Sequence, residues 1–510
     1  MGEGRGARAT SLSWAVCLAI GLCGFLAFEH RWVCDDAFIS FRYARHLVEG
    51  LGLRFNASEM PPVEGYSNLA WILALAPFEA LGLDLVVPSR ALSIGCAGTL
   101  IVLVARFAQR HFDASASFAA AAFLAVLPST VLWATSGLET MAFALAVFAT
   151  FVCVDGRRTT AAVACAIAAT LLRADGALWA VAAVLAACSA NRESARVAVR
   201  ALTAVLATAL LHALWRRWYH GDWLPNTAYA KTGASAFRAI RGVHYVISFV
   251  LAEPGVLLAL AAGVLAARKR VPGLVAASCA MLALAAAWSI YLGGDFMPMG
   301  RFLVVATPFA AVLLAAAWSA MAERRVLREV LLGALIVLAL VPLFGGELAP
   351  ASLRQHFHFR LNRPDAISEM EQWRAMRERE RMWERAALAI AQHTRPGESM
   401  VLDAIGVVGY RTELELLDVF GLVSPEVARR GAEPIRASPG HDLRVDVEFF
   451  LDRKPDYVGA VILPVDAPPE AGLPPGWTER SWASRLRVER RPIAGDAANE
   501  LRLLRLDWGP

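Results

Sequence analysis

The feature that most restricts this 510-residue chain is a succession of charge-poor apolar runs between residue 12 and about residue 345. A hydrocarbon core about 30 Å thick needs about 20 apolar residues per helix, and the runs recur at that length. Inside a bilayer each backbone N–H and C=O must bond within its own element, so helices are the expected form. Charge follows the same division, because 48 of the 95 Asp, Glu, Lys and Arg side chains lie in residues 352–510. The expected architecture is an α-helical polytopic membrane domain over 1–350 followed by a soluble C-terminal α/β domain over 351–510.

Short cytoplasmic loops collect Arg and Lys, which orients the spans. Basic clusters at 106–111, 157–158, 192–200, 268–270 and 324–328 alternate with basic-poor turns, and Arg5 and Arg8 precede the first span. About eleven spans result, with the N-terminus inside and the C-terminus outside. Outward segments then fall near 30–90, 133–139, 173–176, 216–241, 291–301 and after 346. The first run ends Phe25-Leu26-Ala27-Phe28-Glu29-His30. It lacks a small-x-small cleavage pair, so it is expected to remain as the first helix. Residues 68–83 are predicted to lie at the outer interface, and 242–267 form one span. The 159–190 hairpin is too short for two full spans and carries Arg173 and Asp175 in its turn. In the tail a helix over 365–392, strands at 400–402 and 457–463 and a turn at 406–410 are expected. No Gly-rich phosphate loop occurs there. A net charge of only +5 without a basic stripe argues against nucleic acid. The eight cysteines lie in the membrane part without metal-ligand spacing and read as small core side chains.

Five polar segments carry possible chemistry. Asp35 and Asp36 follow the first span directly, with Arg42 and Arg45 at helical spacing, placing acid and base at one interface. Glu64, Tyr66 and Asn68 form a polar turn ahead of the interfacial helix. Glu139 is a lone acid at the end of an apolar hairpin, costly there unless paired or hydrated. Arg216, Arg217, Asn226 and Lys231 lie among Trp and Tyr in the one short outward loop rich in basic residues. Guanidiniums grip phosphate oxygens in bidentate fashion, so this loop is expected to meet an anion. Asp295 and Arg301 flank a Gly-rich helix end suited to hydroxyl groups.

Together these segments resemble the polytopic GT-C glycosyltransferases, and among them the subfamily of the mycobacterial terminal arabinofuranosyltransferase. The likeness rests on Asp35 to Arg42 (DDAFISFR), Glu64 to Asn68 (EGYSN), Ala134 to Thr140 (ATSGLET) and Arg173 to Gly176 (RADG). It continues through Pro225 to Lys231 (PNTAYAK), Gly293 to Phe296 (GGDF) and Leu417 to Leu422 (LDVFGL). Ala174 departs from the family's usual Pro. The resemblance implies transfer of a sugar, such as arabinofuranose, from a polyprenyl-phosphate donor to an extracytoplasmic glycan or glycolipid, with membrane lipids as surroundings. It also implies an outward-loop base, Asp35 or Asp36, with Asp35 preferred as the first acid after the helix. Glu139 is expected to orient the acceptor or to hold a divalent cation (Mg, Mn or Ca) with Asp36. Arg42, Arg216, Arg217, Asn226 and Lys231 are expected at the donor, and Glu64, Tyr66, Asn68, Asp295 and Arg301 at the acceptor or sugar.

Two other classes compete. A lipid-linked sugar flippase or transporter suits intramembrane charges and a broken hairpin, but calls for a midplane site and repeated halves. A scaffold that merely presents the tail leaves the acids without a role. Convergence of the acids with the cations around one cavity separates these readings.

Overall fold

The computed structural model describes residues 3–230, 236–356, 368–430 and 443–509. Helical segments stand at all eleven expected places. They are α1 (Glu3–Glu29), α4 (Val86–His111), α5 (Ala114–Val126), α7 (Thr140–Asp155), α8 (Thr159–Leu172) and α9 (Gly176–Ala190), then α10 (Ala195–Tyr219), the pair α12 (Ala236–Ala252) and α13 (Pro254–Ala267), α14 (Pro272–Leu292), α15 (Thr307–Ala320) and α16 (Arg325–Leu343). Among the described residues four helices are long and apolar enough to cross a membrane, or five if the bent α12–α13 pair is one span; others are shorter apolar helices. The short ones occur where polar turns dip into the bundle. At about 1.5 Å per residue, α8 and α9 reach only about 21–23 Å.

The run 242–267 departs from expectation. It breaks by 87° at Glu253, between α12 and α13. Glu253 is buried and accepts bonds from the backbone N–H and the hydroxyl of Ser129. Ser129 lies in the first turn of α6 (Pro128–Trp133), where the helix begun by α5 is itself interrupted at Leu127. The two breaks thus satisfy each other's exposed polar groups inside an apolar bundle.

Two helices lie outside the spans at the end of the bundle where the chain leaves α1. Cys34 precedes α2 (Asp35–Val48), whose first turn holds both acids, and α3 (Leu69–Ala80) packs beside it. Twelve residues of α3 extend about 18 Å, too little to span, as expected for an interfacial helix. The tail domain sits over this end. It opens with α18 (Glu369–His393), started by a capping box in which Ser368 and Glu371 exchange bonds with each other's backbone N–H. A five-stranded mixed sheet follows, in the order β2 (Glu415–Asp418), β1 (Ser399–Leu402), β3 (Tyr457–Pro464), β5 (Asp496–Leu506), β4 (Leu486–Ile493). β1 runs parallel to β2 and β3, whereas β5 is antiparallel to β3 and β4. The expected turn at 406–410 is a short helix, α19 (Gly406–Arg411).

Candidate active site

Tail and membrane parts meet on α2. Asp35 accepts bonds from the N–H groups of Gly406 and Val407 at 3.0 and 2.8 Å, one to each carboxylate oxygen, capping α19 from another element. The fit is close, because a Cβ on Gly406 would lie 1.9 Å from the Asp35 carbonyl oxygen. Burial, with the charges of Asp36 and Asp403 adding to it, pushes the Asp35 carboxyl up to about 6 despite those two bonds. Asp35 thus seats the tail against α2.

The neighbouring Asp36 acts on a different group. Cys34 bonds through its N–H to the Ser136 carbonyl at 3.0 Å, fixing the start of α2 against the turn 134–139. Gly137 in that turn has φ +83°, and a Cβ there would meet Ala37 at 2.8 Å. Glu139 is buried at its end and accepts a 2.9 Å bond from Asn68, which also exchanges bonds with Ser40. Across from Glu139, at 3.8 Å, stands Arg173, held by Asp175 at 2.8 Å and lying against Phe143 and Phe302. Asp175 is fixed in turn by the indole N–H groups of Trp179 and Trp288. Arg301 bonds Asp295 at 2.5 Å. Burial alone lowers the Arg301 pKa, but Asp295, Asp36 and Glu139 outweigh it and hold the guanidinium charged, above its ordinary value. Three acids and two guanidiniums thus converge at the tail end of the bundle. A small cavity opens between Arg173 and Arg301, lined also by Thr140, Phe143, Asp175 and Phe302. The Thr140 hydroxyl is buried and has no hydrogen-bond partner in the structure.

Asp36, Glu139, Asn68, Asp295 and Arg301 are thus brought together, and the cations expected from the basic loop are not among them. Arg42 is buried and donates to the carbonyls of Phe55, Gly409 and Leu414 at 2.6–2.7 Å, tying α2 to the tail. Arg216 forms a bidentate pair with Glu64, and both are buried. Asn226 donates to the carbonyls of Gly421 and Leu422 at 2.7 and 2.9 Å. Tyr66 is buried, with its hydroxyl 3.3 Å from His220. Arg217 is exposed and bonds the Gly221 carbonyl, and Lys231 lies outside the described residues. These contacts tie the first loop to the tail through Arg42 and to residues 216–220 through Glu64 and Tyr66, and Asn226 ties the basic loop to the tail. Sequence reading placed Arg173 and Asp175 in a charged turn without assigning them a site role, and it gave Thr140 none.

Among the described residues no group of three or more His, Cys, Asp or Glu side chains is arranged to hold a metal ion. A larger cleft of about 550 Å³ opens between the first loop, residues 220–226 and the tail. Its walls include Asn56, Glu59, Asp222, Glu415 and Arg429. Burial pushes the Glu59 carboxyl up to about 7, and burial also pushes Asp418, which caps the turn after β2, up to about 6.

These three raised acids fix a pH dependence. Between about pH 4 and pH 7 these carboxyls hold protons in the folded protein that the unfolded chain has already released, so their contribution to stability falls as pH rises through that window. His46 and His220, pushed down to about 4 by burial, act in the opposite sense up to about pH 6.5, so the test is a difference. Glu59→Gln is expected to gain melting midpoint in detergent relative to wild type as pH rises from 5 to 8. A difference that stays flat over this range contradicts the assignment.

A family model described as a domain of unknown function (DUF8728) matches residues 368–498, within the tail domain. No curated protein matches the sequence. The chain is similar in structure to ArnT from Cupriavidus metallidurans in the apo state, at 15% identity and a TM-score of 0.57, over 97% of this chain and 98% of that one. Against ArnT from the same organism bound to undecaprenyl phosphate the identity is 16% and the TM-score 0.54, with the same coverage. In fold, the chain is predominantly α-helical, with several apolar helices and a small C-terminal sheet domain, and it shares the fold of ArnT over nearly its whole length.

Proposed function

We infer that the protein is a membrane glycosyltransferase that moves a sugar from a polyprenyl-phosphate donor to an extracytoplasmic glycan or glycolipid. The observation that carries this reading is the convergence of Asp36, Glu139 and Asp295 with Arg173 and Arg301 beside a cavity at the tail end of the bundle. The structural likeness to a protein crystallised with undecaprenyl phosphate supports the donor class. The basic clusters at the opposite end of the bundle support an orientation in which the tail end faces outside. The motif resemblance favours a pentofuranose such as arabinofuranose.

In this reading Asp36 takes the proton from the acceptor hydroxyl as that oxygen attacks the anomeric carbon. The lipid phosphate leaves as an anion and needs positive charge more than a proton, which Arg301 and Arg173 supply. Glu139, oriented by Asn68, positions the acceptor, and Thr140 offers the cavity a hydroxyl. Asp36 and Glu139 also provide carboxylate oxygens for a divalent cation, although two guanidiniums already balance their charge. The acceptor chain enters through the polar cleft beside Glu59 and Asp222. Purified protein is expected to transfer labelled sugar from a polyprenyl-phosphate donor to glycan. Passage of intact donor across a liposome bilayer without transfer supports the flippase instead.

A further inference from the structure

Four arginines gather where the end of α1 meets the start of α4 and the helix α18. Arg31 follows α1, Arg90 lies in the first turns of α4, and Arg377 and Arg381 lie one turn apart on α18. Arg90 donates to the Trp32 carbonyl at 3.4 Å, and the charges of Glu380, Arg31, Arg377 and Asp84 act on it. Arg377 is acted on by Arg381 and Arg31 and by the acids Glu378 and Glu380. Among the described residues none of the four has a carboxylate within ion-pair distance. Glu380, on which Arg90 and Arg381 act in turn, is pushed up to about 7 by burial. Four guanidiniums against these three acids leave an excess of positive charge, which favours an anion.

Two buried donors point the same way. The Arg377 Nε and the indole Nε1 of Trp373 are both buried without a hydrogen-bond partner, and the Arg377 guanidinium lies 5.4 Å from that indole ring. Trp373 is 4% exposed, so its N–H is cut off from bulk water. On α1 an apolar stripe of Leu18, Leu22, Phe25 and Phe28 is exposed at helical spacing, and the Arg31 guanidinium lies 4.3 Å from the Phe28 ring at its end. A cationic cluster at the end of an apolar stripe matches a ligand with an anionic head and a long hydrocarbon tail.

We propose that Arg31, Arg90, Arg377 and Arg381 bind the phosphate of a membrane lipid whose chain lies along α1, clamping the tail helix α18 to the bilayer surface. The proposal does not depend on the glycosyltransferase reading. Native mass spectrometry of protein released from phosphatidylcholine vesicles doped with phosphatidylglycerol, a lipid that the transfer reaction does not use, tests it. Wild-type protein is expected to retain phosphatidylglycerol, and the Arg90→Gln, Arg377→Gln double variant at least tenfold less. Arg381→Glu, at an exposed position that folding tolerates, is expected to weaken retention several-fold, and Asp36→Asn to leave it unchanged. Equal retention by wild type and both arginine variants overturns the proposal. So does occupancy by inorganic phosphate alone with no lipid retained.

Discussion

Asp36→Asn is expected to lower the rate of sugar transfer about a thousandfold at saturating donor, with the melting midpoint unchanged. The amide keeps the size of the side chain and removes its ability to take a proton; it also removes one charge from beside Arg301, which Asp295 and Glu139 continue to hold. Asp35→Asn is expected to behave differently. An amide has a single acceptor oxygen, so one of the two N–H groups at Gly406 and Val407 loses its partner where the tail is seated. That variant should lose stability and release the tail to protease sooner, with a smaller loss of rate. The contrast matters because the two acids are adjacent in sequence and indistinguishable there. Equal rates in wild type and Asp36→Asn return the base to another residue.

The second large effect belongs to Arg216. Its guanidinium is bidentate to Glu64, and both side chains are buried. Arg216→Ala leaves a buried carboxylate without its counterion, a loss of about 3–5 kcal/mol. The Glu64→Gln, Arg216→Met double variant should recover much of that loss, since neither charge remains buried alone. Denaturant unfolding in detergent reads the difference. The KM for the donor is expected to hold in the double variant. A large rise in KM with stability intact gives Arg216 back to the donor phosphate, as the basic loop first suggested.

The fold was legible wherever the physical signal is local. Apolar runs of bilayer length and alternating basic clusters gave the helices their places; the short 159–190 hairpin followed from its length, and the reading of 68–83 as a helix outside the spans followed from the alternation of basic clusters. The break at Glu253 was not legible, because an acid in an apolar run reads as a cost until its partner, Ser129, is brought beside it. The β4–β5 hairpin also went unread. Arg502 is fully buried within it, held by Glu500 and the carbonyls of residues 467–471, and it interrupts the apolar pattern on that strand.

The site divided along the same line. Acids at the ends of apolar segments announced themselves, since a charge at that depth needs a reason. The roles of arginines did not, because a guanidinium serves a phosphate, a carboxylate or backbone carbonyls equally well. Arg42 bonds the Gly409 carbonyl 367 residues away, and nothing near Arg42 in sequence reveals it. Arg31, Arg90 and Arg377 likewise come from three distant segments, and only the fold shows them as a group.

The measurement that tests the central claim most directly is transfer of labelled sugar from a panel of polyprenyl-phosphate donors to a glycan acceptor, with wild type and Asp36→Asn assayed side by side. Turnover of one donor by wild type, lost in the variant, is the predicted result. Turnover that persists in Asp36→Asn, or none with any donor by a folded wild-type protein, contradicts a transfer centre built on Asp36, Arg173 and Arg301.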